Sequence, residues 1–463
     1  MDQHTRTADK QLNNLIEFRQ VAYRCLGRAK DALFELSDAL LVTPSMPSLA
    51  HLSLSPLFRR RWSSVYEALQ DGSPNTEELL RLYSAQVRTS LFPDLATPRV
   101  LLAGDSTAWP RPLARTLPER TYLHQQAVLP GLGGRPVTAG HGYSTLAWVP
   151  QEAGSWALPL MHERITPQEN ALDKAANQLS RARESLPQEV EVIGMYDSQY
   201  GCAPFVEATS SIECDKVLRL RPNLRLFEGP PPYRGRGPYP KHGPPFKLKD
   251  PSTWGNTDEL LWTDDPQQGW VLVQVWHSLH FRASPHQPMS VIRISRPGAR
   301  GTRRDPKAVW LAWVGYGGRK PPPIEEWWRL YGRRFALEHW YRFAKQRLHW
   351  TTPQLSTPKQ CERWSDLMPM VTWELWLGRG VAADRPLPWQ KAQRGGKLTP
   401  GRVAAGMGAV IAAIGTPTCV PKPRGKSPGW PLGKVRTRRE RQPVLKKGKK
   451  TAKKGRASPK KAA

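Results

Sequence analysis

Three acidic side chains in this 463-residue chain stand where they could act together on phosphate groups. Asp105 and Asp197 each follow a short apolar run, and Glu338 lies in a helical pattern between Arg334 and Lys345. Oxygen ligands suit hard, octahedral ions such as Mg²⁺ or Mn²⁺. Two such ions about 3.5–4 Å apart can activate a water or a 3′-hydroxyl and stabilise the leaving oxygen at phosphorus. For each aspartate alone, a turn or cap residue at a strand end is the alternative interpretation.

The two aspartates are predicted to lie at the ends of buried strands. Residues 100–104 and 190–196 are short, largely apolar runs that stop abruptly at Asp105 and Asp197, as buried strands do. Ligand sites in open α/β sheets collect where strands end. We therefore expect both carboxylates at one edge of a sheet, with cations nearby because grouped carboxylates repel one another.

The third acid is predicted to lie on one long helix that begins after Pro321-Pro322-Pro323 and runs to about Leu348. Proline in a first turn, followed by acidic residues, is a helix start signal. A narrow apolar stripe on this helix should face the core, and it consists of Leu330, Leu337, Tyr341, Ala344 and Leu348. A polar stripe roughly 90° round should lie at the rim of that core, and it holds Tyr331, Arg334, Glu338 and Lys345. The alternative is a solvated face with an Arg334–Glu338 ion pair.

The charge of the chain predicts a polyanionic partner. Lys and Arg exceed Asp and Glu by 30, and residues 433–463 carry +13 of that excess. The remaining residues carry +17, so the excess is not confined to the tail. Nucleic acid is the first candidate partner and an anionic membrane surface is the second.

Several protein classes are disfavoured. No apolar run follows the first residues as in a secretory signal, and residues 403–415 are too short and glycine-rich to span a bilayer. The five cysteines are scattered without a CxxC pair, which predicts a reducing compartment and no structural zinc. No Gly-x-Ser-x-Gly segment occurs, so a hydrolase triad has no support.

Changes in pattern divide the chain into six regions. Residues 1–97 are predicted to form an all-α N-terminal domain that binds DNA or, alternatively, serves packing or dimerisation. An α/β class with a mixed sheet is predicted for residues 98–225 and 289–350, because hairpin strands are followed by strands alternating with helices. Residues 226–288 form a basic, Pro/Gly-rich and β-rich insertion. The remaining two regions are a helical and Pro/Gly-rich part and a basic disordered tail, over residues 351–432 and 433–463.

Four residues of the predicted helix have a spacing that is known from one family. Tyr331-x2-Arg334-x3-Glu338-x6-Lys345 resembles the Tyr-Arg-Glu-Lys signature of DDE transposases from bacterial insertion sequences. The segments at the two aspartates resemble those around the first and second acids of that family, namely Gly104-Asp105-Ser106-Thr107 and Tyr196-Asp197-Ser198. The order of the acids, the helical third acid and the β-rich insertion before it also match.

The resemblance implies a ribonuclease H-like catalytic core that cuts DNA at the ends of an insertion sequence and transfers the strands into target DNA. Asp105, Asp197 and Glu338 would be its catalytic residues and would hold two Mg²⁺ or Mn²⁺ ions per active site. Two alternatives remain open. One is a ribonuclease H-like nuclease without strand transfer, and the other is a catalytically inactive DNA-binding relative.

The resemblance also implies partners and a location. The partners would be the terminal inverted repeats of the element and the target DNA, bound by a homodimer in the cytoplasm of a bacterium, at the nucleoid and away from membranes. Tyr331, Arg334 and Lys345 would bind DNA, the last two at phosphates beside the scissile bond. A tryptophan would stack on a flipped base, the candidates being Trp109, Trp254, Trp270 and Trp276.

Overall fold

The computed structural model describes residues 3–90, 99–124, 136–150, 154–266 without 234 and 236, 269–297, 307–393, and 398–446 without 424, 426–428, 430, 436 and 437. Of the tail over residues 433–463, for which disorder is predicted, residues 447–463 lie outside the described residues, as do 436 and 437. The first described part is helical and contains α1 (Gln3–Cys25), α2 (Lys30–Val42), α3 (Trp62–Asp71) and α4 (Thr76–Ser90).

A mixed sheet follows the N-terminal helices. Its first strands and the helices between them are β1 (Arg99–Pro110), β2 (Thr121–His124), β3 (Val137–Trp148), β4 (Leu158–Ile165), α5 (Ala171–Ser185), β5 (Glu191–Tyr196), α6 (Ala203–Ala208) and β6 (Asp215–Leu220). The central order is β4-β3-β1-β5-β6, with β3 antiparallel to β1 and β4. The strands β1, β5 and β6 are parallel to one another. This mixed α/β arrangement is compatible with a ribonuclease H-like core.

The strands of the predicted insertion extend this same sheet. They are β7 (Arg225–Phe227), β8 (Pro245–Lys247), β9 (Glu259–Asp265) and β10 (Gly269–Phe281). The next strand, β11 (Ser284–Ser295), crosses the predicted boundary at residue 288, and β12 (Val309–Val314) follows it. The strand β12 pairs antiparallel with β6 on one side and with β11 on the other. The order from β6 outward is therefore β12, β11, β10, β7 and β8, with β9 paired to β10.

The first aspartate does not end its strand, contrary to the sequence prediction. Pairing of β1 with β5 stops at Gly104 opposite Tyr196. Pairing with β3 continues from Asp105 to Pro110, so β1 runs on for five residues past the acid. The apolar run ends at Gly104 because β1 loses its pairing with β5 there. From Asp105 onward β1 is paired only with β3, and its residues no longer need to be apolar.

The predicted single helix is also wrong, because it is divided into α7 (Ile324–Arg333) and α8 (Phe335–Gln346). The N–H of Arg334 donates to the carbonyl of Tyr331 at 3.1 Å, and the carbonyl of Arg334 accepts from Leu337 at 2.9 Å. These are i to i+3 bonds, which tighten the chain into a 3₁₀-like turn. Gly332, a poor helix former, lies just before the break. The apolar stripe is nevertheless buried as predicted.

The C-terminal helices α9 (Pro358–Gly378) and α10 (Pro400–Ile414) pack with the N-terminal helices. The contact contains a buried ion cluster in which Arg19 of α1 pairs with Asp38 of α2 and Glu374 of α9. Buried charges require such partners. No described helix is long and apolar enough to cross a membrane.

Candidate active site

The parallel pairing of β1 and β5 brings the two aspartates to one edge of the sheet. Gly104 and Tyr196 are the last residues paired between these strands, and Asp105 and Asp197 are the next residues along each chain. Oδ1 of Asp105 accepts a bond from the backbone N–H of Ser106 at 2.7 Å. Oδ1 of Asp197 accepts from the N–H of residue 199 at 2.9 Å. Each carboxylate is therefore oriented by its own backbone.

A glycine makes the close packing below the aspartates possible. A Cβ on Gly104 would lie 2.0 Å from Cε1 of Tyr196. The Tyr196 side chain is fully buried, and its ring lies 4.7 Å from that of Phe205 and 5.1 Å from that of Tyr200, measured between centroids. Only glycine therefore lets this ring pack directly over β1 beneath the site.

The third acid reaches the same place through the turn between α7 and α8. Glu338 lies in the first turn of α8, and its side chain is 47% exposed. Arg334, in the turn itself, is buried and contacts two of the acids. Its Nη1 lies 2.9 Å from Oε1 of Glu338, and its Nη2 lies 3.1 Å from Oδ2 of Asp105. One guanidinium thus joins the acid of the helix to the acid of β1.

The electrostatics show that the three acids interact. Burial raises the pKa of Asp105 to about 6, the charge of Arg334 opposes this, and the charges of Asp197 and Glu338 add to it. Burial alone would lower the pKa of Arg334, but the neighbouring carboxylates, chiefly Asp105, outweigh it and the pKa is raised. The guanidinium is therefore charged and holds the acids together.

Lys345 contacts β1 two residues beyond Asp105. Its Nζ donates to Oγ1 of Thr107 at 2.7 Å. Burial lowers the pKa of Lys345, while the charge of Asp105 acts in the opposite direction. The hydroxyl of Tyr341 donates to the backbone carbonyl of Asp105 at 3.0 Å. The helix α8 is thereby fixed to β1 at the first acid and two residues beyond it.

Tyr331 completes the set of six predicted residues. Its ring is half-buried, and the guanidinium carbon of Arg334 lies 5.8 Å from the ring centroid. Burial raises the pKa of the Tyr331 phenol, and Arg334 and Arg219 act against this rise. The structure thus gathers all six predicted residues around the end of the β1–β5 pairing.

Two further basic residues at the site escaped the sequence analysis. Arg219 lies near the hydroxyl of Tyr331, and the Nε of Arg221 donates to the carbonyl of Ser198 at 3.1 Å. Both residues are exposed and lie at the carboxyl end of β6, which is parallel to β5. The rule that sites form at strand ends could have found them, because β6 ends at the same edge as β5.

The four tryptophans that are candidates for stacking on a base differ in their exposure. Trp109 is fully buried and its Nε1 donates to the carbonyl of Thr351 at 3.0 Å, so it cannot stack on a base as it stands. Trp276 is buried and Trp254 is half-buried. The side chain of Trp270 is 59% exposed and is the most accessible of the four candidates.

The donor set fits a hard divalent ion, although the carboxylates are not gathered around one point. In the described part of the chain, no three His, Cys, Asp or Glu side chains are grouped so that they could hold a metal ion. Asp105 and Glu338 contact Arg334 instead. The site still offers only oxygen ligands, which suit Mg²⁺ or Mn²⁺. Asp105, Asp197 and Glu338 are the residues that could hold such an ion.

Comparison with known proteins identifies the family. No curated protein matches this chain. The family described as DDE superfamily endonuclease matches residues 22–272, which is more than half of the chain. The match includes Asp105 and Asp197 and ends before the helix that carries Glu338. The chain therefore belongs to the DDE superfamily of endonucleases.

Proposed function

We propose that this protein is a DNA transposase that cuts DNA at the ends of an insertion sequence and transfers the strands into target DNA. The observation that carries the proposal is the position of Asp105 and Asp197 directly after the last paired residues of two parallel strands, with Arg334 joining Asp105 to Glu338. The Tyr-Arg-Glu-Lys spacing on α7 and α8 supports a transposase over other members of the superfamily.

The catalytic core is proposed to be ribonuclease H-like. The order β4-β3-β1-β5-β6, with an antiparallel half and a parallel half, supports this assignment. In this arrangement the first acid lies on the central strand, the second follows its parallel neighbour, and the third comes from a helix packed near both. The insertion between the second and third acids supplies the strands from β7 to β10 and the start of β11.

Asp105, Asp197 and Glu338 would hold two Mg²⁺ or Mn²⁺ ions. When bound, such ions polarise the scissile phosphodiester and lower the pKa of the attacking hydroxyl or water. The chain itself positions the DNA. Arg334 and Lys345 bind phosphates beside the scissile bond, because both are cationic donors at the rim of the carboxylates. Tyr331 contacts the sugar–phosphate backbone next to them.

The rest of the protein binds DNA chiefly through phosphates, with a strong dependence on salt. Residues 289–432 carry all of the remaining excess of 17 positive charges, which supports DNA contacts by this region as well as by the tail, whereas residues 1–97 and 226–288 each have a net charge of zero. The protein works as a homodimer on the two inverted repeats of its element, because each end requires its own set of acids. It acts on DNA in the bacterial cytoplasm.

The proposal is tested with purified protein, Mg²⁺ and labelled DNA that carries the sequences flanking the coding region. Wild type should nick these ends and join them to a target plasmid. Asp105→Asn and Glu338→Gln should abolish cutting and joining but retain DNA binding in a gel-shift assay without metal. Glu325→Gln is the matched control, because Glu325 is an exposed acid in the first turn of α7. It should cut as wild type does.

Three results would change the conclusion. Cleavage by Asp105→Asn or Glu338→Gln at the wild-type rate would contradict the assignment of the three acids. Cutting without joining would identify an endonuclease that lacks strand transfer. Binding of the ends without cutting, under Mg²⁺ and under Mn²⁺, would identify an inactive DNA-binding relative.

A further inference from the structure

Arg334 occupies an unusual position for a residue that is expected to bind DNA. Its side chain is 7% exposed and its guanidinium lies between two carboxylates, Asp105 and Glu338. The contact with Glu338, at 2.9 Å, has the distance of a charge-assisted hydrogen bond, and the contact with Asp105, at 3.1 Å, is longer. The buried Nε of Arg334 has no hydrogen-bond partner within the described residues. The guanidinium is therefore held by acids on one side and retains an unused donor.

The same two carboxylates are needed for a divalent ion. An oxygen that accepts a bond from a guanidinium directs its lone pair at nitrogen, and a cation placed beside that guanidinium would be repelled. We propose that Arg334 keeps Asp105 and Glu338 in an ion-free arrangement, and that a divalent cation binds them fully only after bound DNA has drawn the guanidinium to a phosphate. This inference rests on the proposed function, in which the same acids hold the metal ions.

The local structure supports such a movement. Arg334 belongs to the turn between α7 and α8, so its side chain can swing without displacing the interior of a helix. The rim to which it would move contains Tyr331 and the exposed Arg219. A phosphate can accept from two guanidinium nitrogens at once, so it can replace both lost carboxylate contacts. Asp105 and Glu338 would then repel each other and gain more from a divalent cation.

The consequence is coupling between metal and DNA. Because one guanidinium cannot serve carboxylates and phosphate together, DNA raises the affinity for the ion, and the ion raises the affinity for DNA by the same factor. A protein without DNA would then hold few ions at these acids.

The test measures binding of Mn²⁺ by the full-length protein without DNA, using the electron paramagnetic resonance signal of free Mn²⁺. Arg334→Gln should bind Mn²⁺ about tenfold or more tightly than wild type, since one nearby opposite charge shifts the proton affinity of a carboxylate by about one to three powers of ten. Lys345→Gln is the matched control. It removes a charge close to Asp105, but this lysine contacts Thr107 and no carboxylate. Its effect should be about threefold or less.

Two additional variants test whether the gain in Mn²⁺ affinity depends on Asp105 and on the bridging guanidinium. Adding Asp105→Asn to Arg334→Gln should remove the gain in affinity. Arg334→Lys keeps the charge but cannot bridge two carboxylates, so its Mn²⁺ affinity should lie between those of wild type and Arg334→Gln. Thermal unfolding of each variant checks that it is folded, and Arg334→Lys gives the comparison if Arg334→Gln does not fold.

A duplex DNA should raise the Mn²⁺ affinity of wild type and leave that of Arg334→Gln unchanged. Asp105→Asn on the same DNA measures the background, which is Mn²⁺ bound by the DNA and by other parts of the protein. The proposal would be overturned if Arg334→Gln bound Mn²⁺ no more tightly than wild type, or if Arg334→Gln and Lys345→Gln gained Mn²⁺ affinity equally. It would also be overturned if DNA changed the Mn²⁺ affinity of wild type and of Arg334→Gln equally. None of these measurements requires cleavage. Absence of DNA cutting by wild type would therefore contradict the proposed function separately.

Discussion

The packing of Gly104 under the ring of Tyr196 leads to a prediction that links the fold to the candidate site. A Cβ at position 104 would lie 2.0 Å from Cε1 and 2.6 Å from Cδ1 of that ring. Carbon atoms in contact are normally about 3.5–4.0 Å apart, so Gly104→Ala requires a shift of about 1.5 Å or more. The ring cannot easily retreat, because it is fully buried beside Tyr200 and Phe205.

The expected cost of Gly104→Ala is that of an overpacked core, about 1–3 kcal/mol. With about 2.1 cal/mol/K of unfolding entropy per residue, this lowers the thermal midpoint of a chain of this length by about 1–3 °C. The shift also moves the strand ends that carry Asp105 and Asp197. A displacement of about 1 Å at a catalytic group can lower a rate about 100-fold. We expect a loss of that order in DNA cutting.

The assay combines differential scanning calorimetry with the cleavage assay. Gly401→Ala is a control of the same size, because a Cβ at Gly401 would meet no atom within 4 Å. In a Tyr196→Leu background the ring is absent, so Gly104→Ala should cost much less than in the wild-type background. An unchanged midpoint for Gly104→Ala, or the same cost in both backgrounds, would refute the reasoning.

Three other predictions follow from the described contacts. Arg19→Met should destabilise the protein by about 3–5 kcal/mol in denaturant unfolding at pH 7.5, because Asp38 and Glu374 remain buried without their cation; a loss below about 1 kcal/mol would contradict this. Burial lowers the pKa of His141 from 6.5 to about 4, so the unfolded state alone takes up a proton between these values and stability falls as the pH drops through this window. His141→Gln should reduce that slope by about 1.4 kcal/mol per pH unit, measured as unfolding free energy between pH 6.5 and 4.5, and an unchanged slope would show that this histidine is not the source. Lys345→Gln should make the slope of log K for DNA binding against log salt less negative by about 0.9, as expected for one lost phosphate contact, and equal slopes in the gel-shift titration would argue against that contact.

The local patterns of the sequence predicted elements well where burial on both faces is continuous. The apolar run before Asp197 is the strand Glu191–Tyr196, which has β1 on one side and β6 on the other. Here the neighbours in sequence already determine the pattern.

Features that depend on distant partners were not predictable in this way. The continuation of β1 past Asp105 requires β3 as a partner, and nothing in residues 105–110 specifies that partner. The break at Arg334 is signalled locally only by Gly332. The sequence placed Arg334 and Glu338 on one face, which the structure confirms, but the second contact of Arg334, to Asp105, joins residues 229 positions apart. The Arg334–Glu338 pair was therefore predictable from spacing, while the contact of Arg334 with Asp105 was not.

The insertion has a consequence for any attempt to prepare a minimal catalytic core. Because β12 pairs with β6 and, through residues 290–294, with β11, a shortened core that lacks all strands from β7 to β11 would leave β12 at the margin of the sheet. Its residues Trp310, Leu311 and Trp313 are buried in the intact protein. An open apolar edge of this kind invites strand-to-strand aggregation. A core shortened in this way should therefore aggregate, because in the intact protein β11 covers this edge of the sheet.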